Sequence, residues 1–305
     1  MIDTVSFGFP IMISPTGDQG WRYNLVSVGD RSWEKWSISF YVAGKSKLSV
    51  TYYPQSITAK ANEPLLLFEF SLPKLVYGNN TQMLGDLNEA VEIANKEMNL
   101  IAKFPAINFY EGVLYRLDPC YNFDVGVDVY DYLRSLSVSH YSRRKTKPYF
   151  GNGVQFYTKQ GSLKFYDKGD GFLREEISFL HRRDIENKYQ GQKLTIDLIT
   201  RERTMEILNH ELEILNLTTN KIVNLETANA ILGELYGTRE RERLVNYLIE
   251  RQSTPKDKMM DKINKSEPTV DLYERQIINA GILMGLTYRK GPLPPLKIES
   301  LDGIN

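Results

Sequence analysis

Apolar positions in the first half of the chain fall in short alternating or continuous runs rich in β-branched and aromatic residues, the pattern of β-strands. Eight such runs stand out: 5–13 (VSFGFPIMI), 32–42 (SWEKWSISFYV), 47–54 (KLSVTYYP), 64–72 (PLLLFEFSL), 112–118 (GVLYRLD), 153–159 (GVQFYTK), 162–168 (SLKFYDK) and 172–180 (FLREEISFL). Turn-forming sequences separate several of them, among them SPTGDQG, GNGV, KQG and KGDG. One helix interrupts the strands over 84–102, where Leu84, Leu87, Val91, Ala94 and Met98 recur at helical spacing. A shorter helix is expected over 128–136. Beyond about residue 190 the period changes, and 198–215, 225–235, 238–252 and 270–283 read as helices. The polar stretch 253–266 (STPKDKMMDKINKS) reads as a linker or loop between them. The expected architecture is α+β: an antiparallel-sheet domain with flanking helices over 1–190, followed by a helical part over 191–305.

Composition narrows the function classes. The chain has 305 residues, 42% of them hydrophobic and 25% charged, which is ordinary for a folded domain and excludes wholesale disorder. Lys plus Arg equals Asp plus Glu at 38 each, so a polyanion would meet a local basic patch rather than a global field. The single Cys120 excludes a disulfide framework and a Cys-rich zinc site. His140, His181 and His210 are far apart in sequence and supply a histidine metal site poorly. No apolar run approaches a membrane span, and the opening MIDTVSFGFP lacks a signal-peptide pattern, so the expected compartment is the cytoplasm. Walker A, GxGxxG, HExxH, GxSxG and CxxC motifs are absent.

The stretch 139–168 carries more chemistry. Arg143, Arg144, Lys145, Lys147, Lys159, Lys164 and Lys168 alternate with Tyr141, Tyr149, Phe150, Phe156, Tyr157, Phe165 and Tyr166, and no acid precedes Asp167. Cations neutralise phosphates and aromatic faces stack on unpaired bases, so this is a candidate nucleic-acid surface; a solvated basic loop before an ordinary hairpin has the same composition. Within the hairpin, period-two alternation places Leu163, Phe165 and Asp167 on one face and Lys164, Tyr166 and Lys168 on the other. With the Leu–Phe face in the core, Tyr166 would project between two lysines, an environment that favours phenolate and suits attack on a phosphodiester. Tyr157 on the partner strand is the next candidate nucleophile.

Three acids interrupt apolar strands: Glu69 in LLLFEFSL, Asp118 in GVLYRLD with Tyr115 and Leu117 opposite, and Glu176 in FLREEISF on a face shared with Arg174. Carboxylates inside strands are costly unless paired or metal-bound. If the strands neighbour one another, the three are placed to converge on Mg²⁺ or Mn²⁺. Pairing with Arg116 and Arg174 accounts for them equally well. Asp124 is a reserve ligand near the PCYN turn.

These residues together resemble the gene II/X replication proteins of filamentous phages and related plasmid rolling-circle initiators. The start MIDTVSFGFP, Glu69 followed by SLPKLVYGNNTQML, LYRLD at 114–118, FYDK at 165–168 and FLREEISF at 172–179 follow the family's order over about 1–180; ERQIINAGI and PLPPLKI resemble its C-terminal segment more weakly. The resemblance implies a nickase that cuts one strand at a replication origin, joins Tyr166 to the new 5′-phosphate and leaves a 3′-OH. In this reading Lys168, with Lys164 as a second candidate, aids Tyr166, and the strand carboxylates Glu69, Asp118 and Glu176 are the candidate ligands of Mg²⁺ or Mn²⁺, a carboxylate-rich site consistent with the resemblance. DNA contacts would come from Arg143, Arg144, Lys145, Lys147, Lys164 and Arg174. Expected partners are origin DNA, single-stranded or hairpin, with host helicase and polymerase downstream; a homodimer is open and a membrane is not expected. The chain lacks the His-hydrophobic-His motif of related endonucleases and has Asn79 where a histidine can occur. Two alternatives stand beside this reading: a conjugative relaxase-type nickase with the same chemistry, and a non-catalytic DNA-binding protein, for which the Arg-rich segment 239–251 offers a second surface.

Overall fold

A computed structural model describes residues 1–28, 31–42, 46–55, 63–101, 104–191 and 194–298. The fold is mixed α/β with antiparallel strand pairing. The strands in chain order are β1 (Ile2–Phe9), β2 (Arg22–Val28), β3 (Arg31–Val42), β4 (Ser46–Tyr53), β5 (Leu65–Ser71), β6 (Val113–Asp124), β7 (Lys145–Pro148), β8 (Gly153–Tyr157), β9 (Gly161–Gly169) and β10 (Phe172–Phe179). The helices are α1 (Leu72–Tyr77), α2 (Leu87–Asn99), α3 (Val129–Val138), α4 (Arg182–Tyr189), α5 (Arg201–Ile214), α6 (Leu225–Leu235), α7 (Thr238–Arg251), α8 (Lys256–Ile263) and α9 (Glu267–Asn279).

The chain compacts into two units that interleave in sequence, 1–120 with 178–204 and 121–177 with 205–305. This division differs from a single cut after residue 190. Two of its crossings fall within β6 and β10, so strands that read as belonging to one domain serve both units.

In the first unit the strand order is β2-β3-β4-β5-β1-β6. Alternation on β5 buries Leu66, Phe68 and Phe70 on one face and leaves Glu69 on the other. The buried face meets aromatic neighbours: Phe7 and Phe70 lie 4.8 and 5.3 Å from the Phe109 ring centroid. Helix α2 covers this layer with Ala90, Val91, Ala94 and Met98; Val91, Ala94 and Met98 belong to the stripe expected from spacing, whereas Leu84 precedes the helix and Leu87 is half-buried. It begins at Leu87 because Asp86 caps it, accepting from the backbone N–H groups of Asn88 (2.8 Å) and Glu89 (3.4 Å). The expected helix end at Ala102 lies outside the described residues. Helix α1 forms because Pro73 sits in the first turn and Gly78 closes the end at φ 79°.

In the second unit the strand order is β10-β9-β8-β7, and the hairpin pairs Gly153 with Tyr166 and Tyr157 with Ser162. Its inward face contains Val154, Phe156, Leu163 and Phe165, all buried. The helical core gathers Val223, Leu232, Leu244, Leu248, Met259, Val270 and Ile277. The segment expected as a polar linker contains α8 instead. Met259 is wholly buried there, and Met260 and Ile263 pack beside it. Two adjacent methionines and one isoleucine are a narrow stripe, obscured by four lysines over 256–265.

Candidate active site

Two charged constellations account for most of the expected site residues, one in each unit. In the first, the row across β5, β1 and β6 places Glu69 beside Ser6 and Ser6 beside Arg116. Ser6 is small, so the Arg116 side chain reaches across it: Nη1 lies 2.9 Å from Glu69 Oε1. Asp118, two residues on and therefore on the same face, receives Arg116 Nη2 at 2.6 Å and Nε at 3.2 Å. Burial disfavours the guanidinium charge, but Asp118 and Glu69 outweigh it and hold the Arg116 pKa above its ordinary range.

Tyr115 does not share the face opposite Asp118 with Leu117 as alternation predicts. A bulge between the Ser6–Arg116 and Phe7–Leu114 pairs drops Tyr115 from the ladder and sets it on a cleft of about 550 Å³ with Glu69, Arg116, His181, Arg182 and Arg183. Gly8 makes room for it, since a Cβ there would stand 2.3 Å from the Tyr115 ring.

In the second unit, β9 and β10 bring Lys164, Tyr166 and Glu176 together. Lys164 Nζ lies 2.6 Å from Glu176 Oε1, and the Tyr166 hydroxyl donates to Glu176 Oε2 at 2.7 Å. Burial pushes the Glu176 carboxyl up, but Lys164, Tyr166 and Arg174 together prevail and hold it below its ordinary value. Arg174 is fully buried and donates from Nε to Asn122 Oδ1 at 2.6 Å. Lys164 and Arg174 are thus interior cations, a correction to the expectation that both face DNA. Lys168 Nζ lies 5.8 Å from the Tyr166 ring centroid.

The remaining basic residues divide. Arg144 is pinned to Glu211 at 3.0 Å and lies over the Tyr141 ring at 4.4 Å. Arg143, Lys145, Lys147 and Lys159 are exposed, Lys147 lying 4.7 Å over the Tyr157 ring. Lys145, Lys147 and Tyr157 border an open cleft of about 1060 Å³ whose other margin includes Thr254 and Lys256. On α7, Arg251 is buried against Glu274, while Arg239 and Arg243 are exposed.

One charged group falls outside the expected site residues. Glu175 is fully buried, neither carboxylate oxygen has a hydrogen-bond partner among the described residues, and burial with Glu211 nearby raises its pKa well above the ordinary value. Its signal is the double acid in FLREEISF, which alternation must send to opposite faces.

Mg²⁺ or Mn²⁺ bound by three carboxylates fits this arrangement incompletely. Among the described residues no group of three or more His, Cys, Asp or Glu side chains is set to hold a metal ion. Glu69 and Asp118 do converge, but on the Arg116 guanidinium. Glu176 engages Lys164 and Tyr166 with its two oxygens.

Neither the curated proteins nor the solved structures yield a match. The family model for the N-terminal part of the replication-associated gene II protein matches residues 1–221, a span that contains both constellations. This chain belongs to that family, the filamentous-phage gene II-type replication initiators.

Proposed function

We propose that the protein starts replication by nicking one strand of origin DNA with Tyr166. The observation that carries this reading is the hydrogen bond from the Tyr166 hydroxyl to Glu176, itself paired with Lys164. In the step proposed, the phenolic oxygen bonds to phosphorus as the bond from phosphorus to the 3′-oxygen breaks. The phenolic proton passes to Glu176 Oε2, and the departing 3′-oxygen takes a proton from solvent to become the 3′-OH. The 5′-phosphate stays on Tyr166, and attack by a 3′-OH reverses the sequence to rejoin the strand. Glu176 is a weak base beside a phenol of ordinary pKa near 10, so proton transfer becomes favourable only as the P–O bond forms and acidifies the phenol. Its earlier role is to fix the hydroxyl.

The exposed cations Arg143, Lys145, Lys147 and Lys159, with the adjoining cleft, form the DNA surface of this reading. For Mg²⁺ or Mn²⁺, Glu69 and Asp118 are the side chains that would hold the ion, in exchange for Arg116. A bound ion would supply Lewis-acid chemistry at that pair. A conjugative nickase would use the same residues.

The test is a denaturing gel of protein with labelled origin oligonucleotide and Mn²⁺. Wild-type protein should give a DNA adduct that survives denaturant, and Tyr166→Phe should bind DNA but give none. An adduct from Tyr166→Phe would refute the assignment and direct attention to Tyr157. Binding without an adduct from wild type would favour a non-catalytic DNA-binding protein.

A further inference from the structure

The turn between β7 and β8 holds an aromatic side chain in the open beside Tyr166. Phe150 is 87% exposed, although rings of this kind ordinarily bury most of their surface. Its backbone lies at φ 45°, a left-handed conformation unfavourable for a bulky residue, and Gly151 follows at φ 78°. The turn is nevertheless well fastened. Tyr149 N donates to Gly153 O at 2.9 Å and Asn152 N to Tyr149 O at 3.2 Å. Asn152 Nδ2 donates to Asp167 O at 3.1 Å, and Asp167 N to Asn152 O at 3.0 Å. The last two bonds tie the turn to the residue that follows Tyr166.

The rings form a series leading inward from solvent. Phe150 meets Tyr149 edge-on at 4.7 Å between centroids, and Tyr149 lies 5.4 Å from Tyr166. Lys164 Nζ stands 5.4 Å from the Tyr149 centroid. Gly153 lets the strands close here, because a Cβ would stand 2.6 Å from both Phe165 O and Tyr166 Cβ.

We infer that Phe150 is a positioning residue that stacks on an unpaired base beside the scissile phosphate and so determines which phosphodiester reaches Tyr166. The inference rests on Tyr166 being the nucleophile. An exposed ring held in an unfavourable backbone conformation gains little from packing within the chain; a base laid on it buries one face of the ring and one of the base. Every base presents such a face once it is unpaired, whereas a base inside a duplex is already stacked on both sides. The ring therefore selects a single-stranded or extruded nucleotide, and the turn's attachment to β9 converts that stack into a fixed distance from Tyr166.

The experiment uses the full chain with synthetic oligonucleotides spanning the nick site of its own replicon, each carrying 2-aminopurine at one position. Wild type and Tyr166→Phe should both quench the fluorophore at one position flanking the cut. Phe150→Ala and Phe150→Gly should lose that quench and nick about tenfold or more slowly, in keeping with the energy of one base–aromatic stack. Their cuts should scatter to neighbouring phosphodiesters. Phe150→Trp should restore both quench and cut position. Phe150→Gly should also raise the thermal midpoint, since glycine suits the backbone there; a purely structural phenylalanine would lower it. An unchanged quench and cut position in Phe150→Ala would overturn the inference, as would a quench lost equally at all positions. Nicking by Tyr166→Phe would instead overturn the nucleophile assignment, and the positional quench would still decide whether Phe150 stacks.

Discussion

Replacing Glu176 by glutamine removes one charge from a buried network without changing its volume. The Glu176 and Lys164 side chains keep only 7% and 10% of their exposure, so solvent screens the pair weakly. In Glu176→Gln the Lys164 ammonium stays buried opposite a neutral amide, and Tyr166 loses its anionic acceptor. Removing one partner of a buried pair costs about 3–5 kcal/mol, because the other charge is left uncompensated. Lys164→Met should cost less, since Arg174 and Tyr166 still support the carboxylate. The double variant Lys164→Met/Glu176→Gln removes both charges, and its loss should fall short of the sum of the singles by about 2 kcal/mol. Urea unfolding at pH 7, followed by a probe in the second unit, gives the four values of the cycle.

The pH dependence has a definite sign. Glu176 is held below its ordinary value of 4.5 in the folded protein. The stabilisation it gives is therefore complete above that value and disappears as pH falls through the lower folded-state value. Wild type and Glu176→Gln should differ most near neutrality and converge in acid. An unchanged unfolding midpoint for Glu176→Gln at pH 7, or strict additivity in the double variant, would refute the claim that this pair is buried and coupled.

Three further outcomes can be measured directly. Replacing Arg143, Lys145, Lys147 and Lys159 together by glutamine should flatten the slope of log affinity against log salt by roughly two to three units on single-stranded DNA, and an unchanged slope would place the DNA surface elsewhere. Glu175→Gln should be stabilised relative to wild type more at pH 7 than at pH 4, because burial favours the protonated Glu175 carboxyl in the folded chain while the unfolded chain releases that proton above the ordinary carboxylate range; wild-type stability falls as pH rises from the unfolded value toward the folded one, and a difference between variant and wild type that does not change with pH would contradict a buried neutral acid. Arg116→Met should tighten Mn²⁺ binding about tenfold by calorimetry if Glu69 and Asp118 hold the ion, and equal affinity would exclude that pair.

Strand positions are legible because alternation on a half-buried sheet is written residue by residue. The burial of Leu66, Phe68, Leu163 and Phe165 follows from it directly. Strand β2 is hidden because its alternation is weak: Tyr23 and Leu25 remain exposed. Helix α8 is hidden because its buried stripe is three residues wide. The displacement of Tyr115 depends on a bulge created by pairing with β1, which lies more than a hundred residues away in sequence. Charge pairing is the least legible feature. Lys164 and Lys168 occupy equivalent places around Tyr166 in sequence, yet Lys164 has Glu176 across the strand and becomes part of the interior. The compaction into units is equally hidden, since nothing in the composition of β6 or β10 marks the point where each passes from one to the other.

The burial of Lys164 changes what that cation contributes to the proposed chemistry. As a surface residue it would attract phosphate continuously and indiscriminately. Paired with Glu176 it presents a neutral couple to the incoming strand, so substrate attraction is left to exposed cations such as Lys145 and Lys147. In the proposed step, movement of the Tyr166 proton onto Glu176 would make that carboxyl neutral and remove the ammonium's counter-charge. A positive charge then becomes available at the moment when negative charge grows on the attacked phosphate. The stabilisation is specific to the transition state, the condition under which an electrostatic interaction accelerates a reaction rather than only strengthening binding. Under this proposal the same proton transfer would activate the nucleophile and release the cation, which is a physical reason for placing Lys164 and Tyr166 on opposite oxygens of one carboxylate.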